Sequence, residues 1–326
     1  MKLAIVCSAH GFGHLTRQLA VAEALRAEGV DPAIFTAAPP SIVEATLPSP
    51  RLRPWVVDVG IAQRDSLTED LDETLRRLDE VCSERQIDAL AEELGGFDRV
   101  VVDTAPAGLE AARRAGVEAI AVGNFEWAWL YGQYPRLRQW AARFEAWQRP
   151  HLGLELWPGP GLQAFRSVER FGLVARQREP HALPQGSVLV SFGGFGLADL
   201  DARLPEVPGV TWVISPPMTR LERPDVLWVE DVPYPALVAG AELVLTKPGY
   251  GILAEAMSTG TPIAYLDRGA FPEAASLVAV LEERGDRRVE NLNDLGDLIG
   301  QERPRVALAT AAVARRLLRV EPVKPS

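Results

Sequence analysis

The chain has 326 residues, 47% of them hydrophobic and 24% charged, enough apolar material for about two domains with separate cores. Its formal net charge of -10 argues against a nucleic-acid protein, because phosphate binding relies on a basic face. Cys7 and Cys82 form neither a disulfide framework nor a metal-ligand spacing, and no stretch approaches the ~20 apolar residues that span a bilayer, so a cytoplasmic protein is expected.

Met1 to Cys7 is too short an apolar run for a signal peptide and is read as a first strand. His10-Gly11-Phe12-Gly13-His14 is a glycine-rich turn, after which Leu15, Leu19, Ala22 and Leu25 mark one helix face ending at Gly29. Ala33 to Thr36 and Trp55 to Val59 read as strands. Ser66 with Glu69 resembles a capping box ahead of one helix carrying Leu71, Leu75, Leu78 and Val81 and stopping by Gly95-Gly96. Arg99 to Val102 is a β-branched strand closed by Asp103, Pro106 opens a helix ending near Gly116, and Val117 to Val122 is a further strand. Strands alternating with helices predict a parallel sheet covered on both faces.

From Asn124 to Trp157 the composition shifts to tryptophan, and the stretch onward to about Pro184 reads as an irregular interdomain connection. A second strand-loop-helix unit starts at Ser187 to Ser191 and turns through Gly193-Gly194-Phe195-Gly196. Val210 to Ile214, Val226 to Val229, Leu243 to Leu245 and Pro262 to Leu266 continue its sheet, with helices near Pro235 to Ala239, Gly251 to Ser258 and Glu273 to Arg284. Pro304 to Arg319 is a last helix. The expected fold is α/β, two Rossmann-like doubly wound parallel-sheet domains facing a central cleft, over 1–170 and 171–303, with 304–326 packing back on the first domain.

In such sheets ligands bind beyond the carboxyl ends of the strands, so both glycine loops border one cleft. Histidine occurs only at His10, His14, His151 and His181, and two of these share the first loop. Gly11 and Gly13 let backbone approach a ligand there, and the helix start behind them favours negative charge; the alternative is a tight turn with incidental histidines. Lysine occurs only at Lys2, Lys247 and Lys324. Lys247 stands in Thr246-Lys247-Pro248-Gly249-Tyr250-Gly251, a segment that follows a strand and opens a helix, leaving amides free for a diphosphate. Glu255, one turn into that helix, could accept from vicinal hydroxyls such as a ribose. Asp103 could orient a histidine of the neighbouring loop or cap the helix at Pro106, and the sequence leaves both open. Trp140, Phe144 and Trp147 at helical spacing fit a core, while the arginines among them (Arg136, Arg138, Arg143, Arg149) leave peripheral membrane contact open.

The residues resemble the two-domain GT-B glycosyltransferases, most closely the GT-B-like region at the N-terminus of plant-type L-arabinokinases and its stand-alone bacterial relatives. The resemblance rests on His10 to His14 with Thr16-Arg17, Ser49-Pro50-Arg51-Leu52, the stretch from Asp58-Val59-Gly60 through Gln63 to Leu67-Thr68, Asn124-Phe125-Glu126-Trp127, Phe192-Gly193-Gly194, and Gly249-Tyr250-Gly251 with Glu255-Ala256 and Phe271. It implies His14 as general base on an acceptor hydroxyl, paired with Asp103. It implies a nucleotide base against Glu230-Asp231-Val232-Pro233, a diphosphate at Gly193, Gly194, Gly249 and Gly251 beside Lys247 and Tyr250, a ribose at Glu255 and the donor sugar at Glu273. On the acceptor side it implies His10, Asn124, Glu126 and Trp127. Lys247 departs from the histidine that plant-type UDP-sugar transferases carry nearby.

The resemblance thus implies inverting transfer of a sugar from a nucleoside diphosphate donor, expected to be UDP-linked, to an unidentified acceptor, with no metal and no other cofactor. Two alternatives use the same residues: a non-catalytic sugar-nucleotide-binding module, suggested by the sugar kinase fused to the nearest relatives, and a GT-B-fold nucleotide-sugar epimerase.

Overall fold

The computed structural model describes residues 1–62, 69–192, 204–267 and 271–319. Among these, the strands form two parallel sheets. The first has seven strands in the order β3-β2-β1-β4-β5-β6-β7, with β1 Leu3–Cys7, β2 Ala33–Thr36, β3 Arg51–Pro54, β4 Arg99–Asp103, β5 Glu118–Gly123, β6 Leu152–Leu156 and β7 Ser167–Phe171. The second has six, β10-β9-β8-β11-β12-β13, with β8 Ser187–Ser191, β9 Thr211–Ile214, β10 Val226–Trp228, β11 Leu243–Thr246, β12 Ile263–Tyr265 and β13 Arg287–Arg288.

The inner strands β1, β4, β8 and β11 are buried along their whole length, which is why their sequences are continuous apolar runs rather than alternating ones. The edges are different. β3 is mostly exposed and has no apolar periodicity, so it is invisible in the sequence. The Trp55 to Val59 run that does look like a strand lies outside the sheet, with Val57, Val59 and Ile61 buried in the core as an irregular segment. The tryptophan-rich span ends in a strand, β6, and the stretch read as an interdomain connection contains the half-exposed edge strand β7, whose Glu169 and Arg170 mask its period. The connection proper begins after Phe171.

Helix boundaries also differ from the sequence reading: the last helix starts at Thr310 rather than at Pro304, and two boundaries change in the first domain. The helix over Leu71–Val81, α3, is capped by Asp70, whose carboxylate accepts from the Glu73 amide at 3.0 Å; Ser66 lies outside the described residues. The same run does not continue to Gly95. Cys82 ends α3 and Ser83 caps a new helix, α4 (Glu84–Leu94), because a serine accepting from the Gln86 amide offers the backbone a fresh start. Both cysteines are buried and free.

Helix α1 (Phe12–Ala27) crosses from β1 to β2, α2 (Pro40–Glu44) from β2 to β3 and α5 (Pro106–Arg114) from β4 to β5, and α6 (Trp127–Gly132) and α7 (Arg138–Gln148) lie between β5 and β6. Trp140 and Phe144 of α7 are buried in the core, and the Arg143 guanidinium sits 4.9 Å and 4.7 Å from the Trp140 and Trp147 ring centres. After the second sheet the chain returns. Ala309 donates to the Leu173 carbonyl at 2.6 Å, and Val313, Ala314 and Leu317 of the helix Thr310–Leu318 enter the core under α1 with Leu15 and Leu19. No helix among the described residues is long and apolar enough to cross a membrane.

Candidate active site

Each sheet reverses its strand order at one place, between β1 and β4 in the first and between β8 and β11 in the second. A crevice opens there because the loops on either side leave in opposite directions. In the first sheet Cys7 and Asp103 are register partners at the carboxyl ends of β1 and β4, so the loop after β1 and the last residue of β4 are neighbours. In the second, Ser191 pairs with Thr246, so β8 and β11 end side by side just before Lys247. Gly193 and Gly194 lie outside the described residues.

At the first crevice His14, in the opening turn of α1, points Nδ1 at Asp103 Oδ1, 2.9 Å away. Asp103 does not cap α5, whose N-cap is Ala105 with no side-chain bond. Its oxygens instead accept from Arg17, bidentate at 2.7 and 2.8 Å through Nη2 and at 3.0 Å from Nε, from Gln18 Nε2 at 2.8 Å and from the Thr104 hydroxyl at 3.0 Å. Burial pushes this carboxyl up, but the charges of Arg17 and His14 outweigh it and hold it well below the usual carboxylate range. Thr104 adopts φ 50°, in the left-handed region that costs a β-branched residue energy. His14 is flanked by Phe125, edge-on at 5.4 Å, and by Trp127 at 6.1 Å. Nε2 has no hydrogen-bond partner among the described residues.

The second crevice is brought against the first. The helix Tyr250–Thr259 packs on α1, and Gly251 approaches so closely that a Cβ there would lie 2.9 Å from Thr16 Oγ1 and 3.3 Å from Gly13 Cα. Tyr250 stacks on Phe125 with ring centres 5.9 Å apart. Gly11, at φ 80°, is the N-cap of α1 with open space beside it, and Gly249 is the N-cap of the Tyr250–Thr259 helix, with no side-chain cap on its first amides. Lys247 and Val232 are half-buried nearby in the chain's second half. Glu273 is buried at the N-cap position of the helix Ala274–Arg284 without a side-chain cap bond, and its carbonyl accepts from Ser276 Oγ at 2.9 Å.

Glu255 is buried, and its Oε1 accepts from Arg176 Nε and Nη2, each at 2.8 Å, while Arg176 Nη1 donates to Thr46 Oγ1 at 3.0 Å. The carboxylate thus lies in an ion pair with the segment that follows β7, and Arg176 extends the contact to Thr46 of the first domain. Of the acceptor-side residues, His10 stands half-exposed, edge-on to Trp127 at 5.9 Å. The other three are buried. Asn124 donates to the Leu156 and Pro158 carbonyls at 3.0 and 2.7 Å and accepts from Arg17. Glu126 accepts from the Ala164 amide at 2.8 Å, and Trp127 donates to Asp58 at 2.9 Å. Asn124 and Glu126 therefore shape the wall from behind. Sequence reasoning assigned nothing to Arg17, Gln18, Thr104, Asp58 or Arg176; one signal for Arg17 was its place one turn after His14 on the same helix face.

Solved structures of similar shape include the glycotransferase of kitacinnamycin (19% identical, 97% of this chain and 92% of that one, TM-score 0.61) and SnogD, a glycosyltransferase from Streptomyces nogalater (16%, 98% and 99%, TM-score 0.59). A third is the glycosyltransferase VinC in complex with dTDP (17%, 97% and 94%, TM-score 0.57). This chain has the GT-B fold. In sequence it is similar to L-arabinokinase of Arabidopsis thaliana, 30% identical over 309 residues, 86% of this chain but only 30% of that protein's length. No family model matches. Within the GT-B fold, the crevice holding His14 and Asp103 belongs to the first domain and the segment Lys247 to Gly251 to the second.

Proposed function

We propose that this protein transfers a sugar from a nucleoside diphosphate donor, UDP-linked in the first instance, to an acceptor hydroxyl with inversion and without a metal. The observation that carries this reading is the His14–Asp103 pair at the switch point of one domain, set against the helix start at Gly249 to Gly251 from the switch point of the other. His14 Nε2 takes the acceptor proton as the acceptor oxygen bonds to the anomeric carbon, and Asp103 steadies the imidazolium through Nδ1. The bond from the anomeric carbon to the phosphate oxygen breaks with its electron pair on the diphosphate. The amides at the start of Tyr250–Thr259 and the Lys247 ammonium balance that charge.

The dTDP bound to VinC makes thymidine and uridine nucleotides the first probes. Upward thermal shifts with UDP, dTDP or their sugars, each against the variant's own baseline, locate the donor, and loss of the shift in Glu255→Gln places the ribose. His14→Ala is expected to abolish product while the nucleotide shift persists; unchanged turnover removes His14 as the base. An isomerised sugar from donor alone means epimerase chemistry, and binding without product across an acceptor screen means a binding module.

A further inference from the structure

Arg17 is 3% exposed and points its guanidinium at the base rather than at solvent. Nη1 donates to Asn124 Oδ1, Nε and Nη2 grip both oxygens of Asp103, and Nη2 also lies 3.0 Å from His14 Nδ1. Asn124 is itself held by two backbone carbonyls, so the fork cannot swing without breaking a buried chain of hydrogen bonds. Balancing a buried carboxylate explains a positive charge here, but not the nitrogen placed beside the imidazole.

We infer that Arg17 is a positioning residue for His14. Its fork fixes Asp103 so that Oδ1 faces Nδ1, which keeps the imidazole proton on Nδ1 and leaves Nε2 bare as the acceptor of a substrate proton. Its charge cancels that of the carboxylate, so the resting cluster of neutral imidazole, carboxylate and guanidinium carries no net charge where a lone histidine–aspartate pair would carry -1. The other arrangement, with Nδ1 accepting from Arg17 Nη2 or from Thr104 Oγ1 at 3.1 Å, would put the proton on Nε2 and disable the base. Among the described residues, the charged and titratable groups facing His14 are Asp103 from β4, Arg17 from α1 and Asp58 from the segment after β3, with Cys7 of β1 behind them beside Asp103 and Arg17. Arg17 is the cation among them. The catalytic consequence rests on the transfer reading above; the ring's protonation does not.

The test is therefore made on the full-length protein without nucleotide or acceptor, by nitrogen-15 NMR of its four histidines, each assigned by substitution. The expected wild-type result is a His14 proton on Nδ1. In Arg17→Met the preference for Nδ1 is lost, and in Arg17→Lys, which keeps the charge without the fork, it weakens. A wild-type proton on Nε2, or variants whose tautomer equals that of wild type, overturns the inference. If Arg17→Met does not fold, the wild-type tautomer and the Arg17→Lys pair still decide it.

Discussion

Asp103 is charged at a place where burial alone would neutralise it, and removing that charge strands Arg17. Asp103→Asn is expected to cost about 3–5 kcal/mol in denaturant unfolding, the range for an uncompensated buried ion, and more than His14→Ala does. Glu126 shows the opposite balance. Burial lifts its carboxyl to about 7 despite the Ala164 and Gln163 amides, so between the ordinary glutamate value and that point the folded state holds the proton that the unfolded state has lost. Stability then falls as pH rises through this window, and a shift of that size corresponds to about 3 kcal/mol. Glu126→Gln removes the fall; thermal unfolding from pH 4 to 8 with the same slope in both proteins would refute it.

At the scale of elements, the C-terminal helix is held by a residue a long way off in sequence. Arg99, buried in β4, donates to the Leu317 and Arg319 carbonyls and so fills the acceptors that a helix end leaves open. Arg99→Met is expected to cost about 1.5–3 kcal/mol, as for a hydrogen bond from a charged group, and to raise amide exchange across 310–318 before the rest of the first domain loosens. The helix has no such clue in its own sequence beyond an apolar face of Val313, Leu317 and their neighbours. Edge strands β3 and β7 show the same limit from the other side. A strand with solvent along its length needs no apolar alternation, so its residues carry no period to read.

For the whole molecule, the contact between domains is built from small residues and buried ion pairs. Arg176 joins Glu255 to Thr46, and Arg178 joins Glu23 of α1. Gly13 and Gly251 meet backbone to backbone. Gly251→Val places its side chain against Thr16 and Gly13 and is expected to hold the domains apart, seen as a larger radius of gyration in small-angle scattering with little change in either sheet. An unchanged radius would mean that the contact yields locally. Because Glu255 Oε1 already pairs with Arg176 at 2.8 Å, a ribose at this carboxylate would share it with that guanidinium.

The sequence by itself determined the inner buried strands and the first strand-loop-helix unit, with Asp103 at the end of its strand. Those features rest on local signals: continuous apolar runs, glycines before a helix, and a carboxylate ending a strand. Only the tertiary structure decided which partners the polar residues take. Whether Asp103 caps a helix or faces an imidazole, whether Glu255 is open to a ribose or bound to Arg176, and whether Asn124 faces a ligand or the protein's own carbonyls depend on groups 32 to 107 positions away in the chain. Buried polar atoms must be satisfied by whatever the fold brings within 3 Å, and no spacing rule in the sequence encodes that choice.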